Sequence, residues 1–273
     1  MTQHRANPRF LWLAFALLIV TALFWGLNAA SEARAARPLS EGAWLPAAPG
    51  LEAAIPQARS LSSSNEEVKL TFSFSGIQAD PAKLDGQLYT RLSGLELGSD
   101  ALPGQPELPF TSRSVQIPFG AEVRLEISGA VYRDVSLSEL GLPQQVLPAQ
   151  IPQTKSGPLP PPTAPDAAAY AASGFLPAQP AAAGLDYIQR GRRGLEILLH
   201  PVQYNPAAGT LRIYSQVDVT LHLIGGDAAL TRQMAERYAS PEFEALQAAT
   251  LLNYGQPGAE AVQPAKALPG YLI

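Results

Sequence analysis

The chain has 273 residues, no cysteine, three histidines and a formal net charge of −4. That composition excludes a disulfide scaffold, thiolate zinc sites, iron–sulfur clusters and a cysteine nucleophile, and it gives no electrostatic reason to bind nucleic acid. Charged residues are only 15%, against ~25% in ordinary soluble domains, and 26 prolines nearly double the usual ~5%.

Residues 10–27 (FLWLAFALLIVTALFWGL) are an apolar run without a charge, preceded by Arg5 and Arg9 and followed by Ala33-Arg34-Ala35. A basic lead, an apolar stretch and a small-x-small site predict a signal peptide over residues 1–35, with cleavage recognised through Ala33 and Ala35. The rest of the chain is then secreted or held in the cell envelope. The run is also close to the ~20 residues that span a bilayer, so an uncleaved anchor is the alternative and the only membrane contact expected. Residues 36–65, rich in Ala and Pro, read as a spacer.

Strand patterns follow. Val68 to Phe74 alternates apolar and polar and stops at Ser75-Gly76; Ser114 to Ile117 is a second strand, with Pro118-Phe119-Gly120 as a turn. Glu122 to Ile127 puts Val123, Leu125 and Ile127 on one face, and Val131 to Leu137 is a further strand. Beyond residue 185, Leu195, Ile197 and Leu199 share a face, and Asn205 to Gly209 is a turn. Leu211, Ile213, Val217, Val219, Leu221 and Leu223 then keep a period of two. At ~3.3 Å per residue such a strand is long, and Ser215, the small polar residue on its apolar face, marks a bend or bulge. Asp227 to Tyr238 has helical character, and Ser240-Pro241-Glu242 is a helix start, with Ser as N-cap and Pro at the first helical position. The fold class is mainly β: an antiparallel β-sandwich with a short C-terminal helical segment. Residues 154–184, more than half Ala or Pro, are either a linker between two domains or an excursion within one.

Chemistry is sparse. Nucleophile elbow, P-loop, dinucleotide and metalloprotease motifs are absent from the sequence, and neither a cofactor nor a metal is called for. His200 and His222 read as partly exposed strand histidines. Arg190, Arg192 and Arg193 form the densest basic cluster, either a solvated turn before a strand or a processing site for a trypsin-like protease. Lys155 is the only charged residue between Glu139 and Asp166, at the entrance of the Pro-rich segment. It is a solubilising loop residue or, on an extended chain stiffened by proline, a side chain for a protease specificity pocket.

Three separated segments resemble the N-terminal propeptide of gingipain-type cysteine peptidases. Gly104-Gln105-Pro106-Glu107-Leu108-Pro109 is similar to its Gly-x-Pro-x-Leu-Pro motif. Gln203-Tyr204-Asn205-Pro206, running on to Leu211-Arg212-Ile213-Tyr214, is similar to its most distinctive hairpin. Phe243-Glu244 to Asn253-Tyr254 resembles its closing helix. The resemblance covers residues 66–254 and implies a single β-sandwich with residues 154–184 as an internal excursion. It implies a non-catalytic domain that assists folding of a gingipain-like cysteine peptidase domain and inhibits it by covering the active-site cleft. A basic residue in the loop would occupy the specificity pocket; Lys155, followed by Ser156, stands at the corresponding place. Residues 255–273 would be a linker and the start of the peptidase domain, whose first strand Tyr271-Leu272-Ile273 resembles, so a truncated gene product is expected. Lys266 is the basic residue nearest the closing Asn253-Tyr254 at which cleavage could release the domain. The alternative is a free-standing envelope sandwich binding a glycan or a surface protein, which needs an exposed aromatic platform, and Trp44, Tyr132 and Tyr214 do not cluster in the sequence.

Overall fold

Two long strands, β8 (Glu122–Ser136) and β12 (Thr210–Ile224), pair antiparallel along their lengths and form the spine of the domain. The computed structural model describes residues 42–153 and 155–263; the signal peptide expected over residues 1–35, with Ala33 and Ala35, and Lys266 lie outside the described residues. On its other edge, β12 pairs first with β11 (Val202–Asn205) and then with β3 (Glu67–Ser73), which carries β2 (Gln57–Ser63) outside it. A second sheet runs β6 (Gly98–Ser99), β7 (Pro109–Ile117), β10 (Arg192–Leu199), β9 (Ala181–Gln189), and a third runs β1 (Ala43–Pro46), β4 (Gly76–Leu84), β5 (Gln87–Ser93). All the pairings between these strands are antiparallel.

Each added sheet packs against the spine through its own core. Val115, Ile117, Leu195, Ile197 and Leu199 of the second sheet meet Val68, Leu70 and Phe72 and then Tyr214, Val217, Val219, Leu221 and Leu223. Ile77, Ala79 and Leu92 of the third sheet meet Val202, Tyr204, Leu211, Ile213 and Val135. Ile213 and Tyr214 thus point into different cores, as neighbours on a strand must. Tyr214 and Val217 share one core although three residues apart, an odd separation that a period of two forbids. The extra residue is Ser215: the pairing with β8 shifts register between Tyr214 and Gln216, with a second shift opposite Ser128. Each of the two strands therefore carries one bulge, and its apolar row crosses from one face of the ribbon to the other. The bulge anticipated at Ser215 lies where the alternation pointed.

Two expectations need correction, and one of two alternatives closes. Residues 43–46 and 57–63, assigned to the spacer, are β1 and β2, because Leu45 and Ala47 complete the second core. The strands read at 122–127 and 131–137 are one strand with a bulge. Residues 154–184 are not a linker between domains: β8 before them and β10 after them belong to the same packed unit, and residues 181–184 already start β9. The helical tail is as expected. Asp227 caps α2 (Ala228–Tyr238), and Ser240 caps α3 (Pro241–Thr250) by accepting the Phe243 N–H at 3.3 Å.

Inserting one residue after Ser215 would turn Val217 to Leu223 to the face of the wrong core, so the insertion is expected to cost more than ~4 kcal/mol and abolish cooperative urea unfolding. Deleting Ser215 leaves Tyr214 and Val217 two apart on their shared face and is expected to keep unfolding cooperative. Ser215→Ala loses only the long 3.3 Å bond to the Val131 carbonyl and is expected to stay within about 1 kcal/mol of the parent.

Candidate functional site

The Pro-rich excursion leaves the end of β8 and is tied down before it becomes free. Its outgoing limb docks on β5 at the buried Thr90, whose N–H donates to the Gln145 carbonyl (2.8 Å) and whose Oγ1 donates to that of Pro143 (2.7 Å), while the Leu147 N–H donates back to Thr90 (2.8 Å). The limb then meets the Gly104–Pro109 segment. Glu107 N–H donates to Leu147, Ala149 N–H to Gln105 and Gly104 N–H to Ala149, each at 2.8 Å; Pro106 bridges Pro148. Gly104 also accepts the Asp166 N–H at 2.8 Å, so one residue holds both limbs of the excursion. It does so at φ +88, and a Cβ there would lie 3.1 Å from the Ala164 carbonyl, so glycine is required. Leu108 is buried in the second core and Pro109 opens β7.

The return limb is clamped by the Gln203–Pro206 segment. The short helix α1 (Ala167–Tyr170), capped by Asp166, aims the Tyr170 hydroxyl at the Val146 carbonyl (2.6 Å) of the outgoing limb. Leu176 and Tyr204 exchange backbone bonds of 2.8 and 2.9 Å. The fully buried Tyr204 also donates its hydroxyl to the Gln144 carbonyl (2.8 Å). Gln203 donates to the Pro177 carbonyl (2.6 Å) and accepts the Tyr214 hydroxyl (2.5 Å); Asn205 donates to the Ser173 carbonyl (2.9 Å). Pro206 closes the turn, its carbonyl accepting the Gly209 N–H at 3.4 Å. Burial pushes the phenols of Tyr170, Tyr204 and Tyr214 above their ordinary value. Arg212 adds a further fastening, stacked between Phe175 of the excursion and Tyr132 of β8, 4.1 Å from each ring, and held by both carboxylate oxygens of Asp134.

Between these anchors one loop stays free. The Gln150 amide closes its base, accepting the Thr163 N–H at 2.8 Å and donating to the Thr163 carbonyl at 3.2 Å. Lys155 and Ser156 lie exposed beyond that closure, where the chain bends between Pro152 and Pro158. Among the described residues Lys155 makes no ion pair, whereas Lys69, another lysine, is paired with Glu67 at 2.9 Å. Ile151 and Leu159, about half and three-quarters exposed, flank it. Thr90, Gln150, Thr163 and Tyr170 were not legible as positioning residues: their bonds join segments far apart in sequence.

The basic cluster is structural. Arg190 and Gly191, both at positive φ, form the two-residue turn between β9 and β10. Arg190 stacks over Phe243, 4.2 Å from the ring centroid. Arg192 is 2% exposed and donates to Gln116 (2.5 Å), Glu244 (2.8 Å) and the Glu260 carbonyl (3.1 Å). Arg193 pairs with Asp186 and donates to the carbonyls of Pro118 and Ala121. Cleavage after Arg192 or Arg193 would require β10 to leave the sheet, which argues against a processing site in the folded domain. Asn253, fully buried, exchanges bonds of 2.8 and 2.9 Å with the Gln116 backbone, and Tyr254 donates to Glu244 at 2.8 Å. The closing Asn-Tyr thus docks the tail onto β7 and Arg192. His200 is buried, not partly exposed, because it lies 3.3 Å from Asp100 and packs near Phe110. His222 on the outer face bonds Glu126 at 2.9 Å. No aromatic platform forms from Trp44, Tyr132 and Tyr214: Tyr214 is buried, Tyr132 is about half exposed with Arg212 stacked over its ring, and Trp44 is half-buried with its indole bonded to Leu51. Among the described residues no three His, Asp or Glu side chains converge to hold a metal.

The family model described as Propeptide_C25 matches residues 52–254. The chain is 25% identical over 195 residues to Lys-gingipain HG66 of Porphyromonas gingivalis, covering 71% of this chain and 11% of that protein. It is 25% identical over 209 residues to gingipain R2 of the same species (strain ATCC BAA-308 / W83), covering 73% and 26%. The chain thus spans about a tenth to a quarter of the length of these curated relatives. In fold it resembles a chain from the complex of Porphyromonas gingivalis RgpB pro- and mature domains (TM-score 0.59, 21% identity, 72% of this chain and 96% of that one). It also resembles a chain from a structure titled for the zymogenic latency of gingipain K from the same species (TM-score 0.55, 21% identity, 68% and 100%). The matched portion is the non-catalytic one.

Two outcomes follow from this geometry. Trypsin at limiting amounts is expected to cut the native chain within residues 42–263 first after Lys155, leaving the bonds after Arg192 and Arg193 intact, as read by mass spectrometry; early cleavage at those two arginines would contradict their place in β10. The buried phenols stay protonated in the folded chain at pH values where the unfolded chain ionises near 10.0. Their contribution is therefore present below that pH and lost as pH climbs through the raised folded values. The urea midpoint is expected to fall above pH about 10 and to fall less steeply in Tyr170→Phe.

Proposed function

The chain belongs to the Propeptide_C25 family, and from that premise we propose that it is an exported propeptide that covers and inhibits a gingipain-like cysteine endopeptidase domain and assists its folding. The observation that carries the inhibitory role is the presentation of Lys155. It is exposed, without an ion pair among the described residues, on a loop whose base is closed by Gln150 and Thr163 and whose limbs are held from both sides. A rigidly presented loop loses less conformational freedom on docking than a floppy one, so more of the contact energy appears as affinity. Lysine supplies a compact charge on a long flexible stem, suited to a deep pocket that ends in a carboxylate.

Substrate and inhibitor differ in this reading by what surrounds the lysine. The segment is stiffened by Pro152 on one side and Pro158 and Pro160 to Pro162 on the other, and the domain behind it blocks the rest of the cleft. Folding assistance would use the same contact, since a cleft formed against a preformed template is stabilised by whatever binds it. With the arginine cluster built into the sheet, Lys266 is the cleavage point this reading retains for release.

The test is inhibition of a purified gingipain-like peptidase from the same genome. The domain is expected to inhibit at or below micromolar concentration, and Lys155→Ala to weaken inhibition by about 1–2 kcal/mol, roughly tenfold or more. Absence of inhibition by the parent chain rejects the reading; an unchanged inhibition constant for the variant removes Lys155 from it.

A further inference from the structure

β8 pairs with β12 along one edge, and among the described residues no strand pairs with its other edge. Such an edge offers a row of backbone donors and acceptors to another strand. Its first half is regular: the register is unbroken from Glu122 to Ile127, and the bulge comes at Ser128. Along that run Val123, Leu125 and Ile127 pack against the first core but stay only half-buried, with no strand paired to the open side, although β9 approaches β8. The outer face alternates charge: Glu122, Arg124, Glu126.

We propose that this edge pairs with the same edge of a second copy of the chain, antiparallel and centred on Leu125. The register is set by charge and by the length of regular strand available. A two-fold axis at Leu125 places Arg124 opposite the partner's Glu126 and Glu126 opposite the partner's Arg124, with Val123 opposite Ile127 and Glu122 opposite Ser128. Moving the axis one residue to Arg124 or to Glu126 sets a like-charged residue against its own copy, which cross-strand pairing penalises. Moving it two residues to Val123 keeps Glu122 opposite Arg124 but pairs only residues 122–124 of the strand, and moving it to Ile127 runs the pairing across the bulge at Ser128. Because each side chain keeps its own face, Val123, Leu125 and Ile127 of both copies come together on the core side. They form a continuous apolar strip between the two sandwiches, covering what each monomer leaves open. On the outer face the arginine–glutamate pairs cross the seam beside His222, which bonds Glu126 and lies opposite Arg124 within each copy.

The other free edges lack this complementarity. β9 carries a bulge between its pairings with Leu195 and Ile197, and its Asp186 is engaged by Arg193 of the neighbouring strand. β2 is interrupted by a bulge of its own between Ser60 and Ser62. The inference does not depend on the peptidase reading, since it uses a different edge and different residues.

The measurement is sedimentation equilibrium of the purified chain from micromolar to sub-millimolar concentration. The parent is expected to dimerise, and Arg124→Glu and Glu126→Arg each to weaken the dimer at least tenfold, because each sets like charges opposite one another twice. An equimolar mixture of the two variants is expected to restore a dimer, since every cross-strand pair in the mixed species is again opposite in sign. As an independent readout, the chain has no native cysteine, so Leu125→Cys is expected to form a covalent dimer under mild oxidation, while Ser62→Cys on the far edge of the same sheet stays monomeric. A monomeric parent at every concentration overturns the proposal. So does a dimer indifferent to both charge reversals, or a mixture of the two variants that stays monomeric. Circular dichroism melts that match the parent confirm that the exposed substitutions leave the fold intact.

Discussion

A strand keeps a strict period of two unless a residue is inserted, and in this domain the insertion at Ser215 decides the architecture. Were Ser215 paired in regular alternation instead of bulged, Leu211 to Leu223 would form one apolar row on one face, able to build a single core. With it, Leu211 and Ile213 face the third sheet while Val217 to Leu223 face the second. The paired bulge at Ser128 makes β8 follow the same crossing, so the ribbon stays paired while its buried face changes side. The second core exists because of this inversion, and that core supports the root of the excursion through Leu142, Val146 and Tyr204.

From that support the functional features follow in order. Gly104 holds both limbs by its backbone; Gln203, Tyr204 and Asn205 hold the return limb by side chain and backbone; Gln150 closes the neck. The Gly104–Pro109 and Gln203–Pro206 segments are thus residues that fix the loop. Arg192, Asn253 and Tyr254 perform the corresponding service for the tail, tying the last helix to β7 and β10 through buried polar bonds. A buried arginine is costly unless its donors are met, and here its terminal nitrogens reach a carboxylate, an amide and a carbonyl.

Much of the fold was legible where a physical rule acts locally. Alternation marked β3, β10 and β12 and even located the bulge at Ser215, because a small polar residue there interrupts an otherwise apolar row. Ser240-Pro241 marked a helix start because capping needs only neighbours. What escaped reading depended on distant partners. β1 and β2 are short or mostly exposed strands without strong alternation, recruited by pairing with β4 and β3. Arg192 looked like a basic turn because its partners lie far along the chain, at Gln116, Glu244 and Glu260. The exposure of Lys155 was anticipated from its surroundings of proline, whereas the closure of the loop by Gln150 and Thr163 had no local signature.

The central claim is that Lys155 enters the peptidase when the domain inhibits it, and amine footprinting tests it directly. The sequence holds four lysines, at positions 69, 83, 155 and 266. In the free chain Lys155 should acylate as readily as Lys69 and Lys83; in the inhibited complex Lys155 should be protected at least tenfold while those two remain reactive. An inhibited complex in which Lys155 stays as reactive as in the free chain would contradict the account.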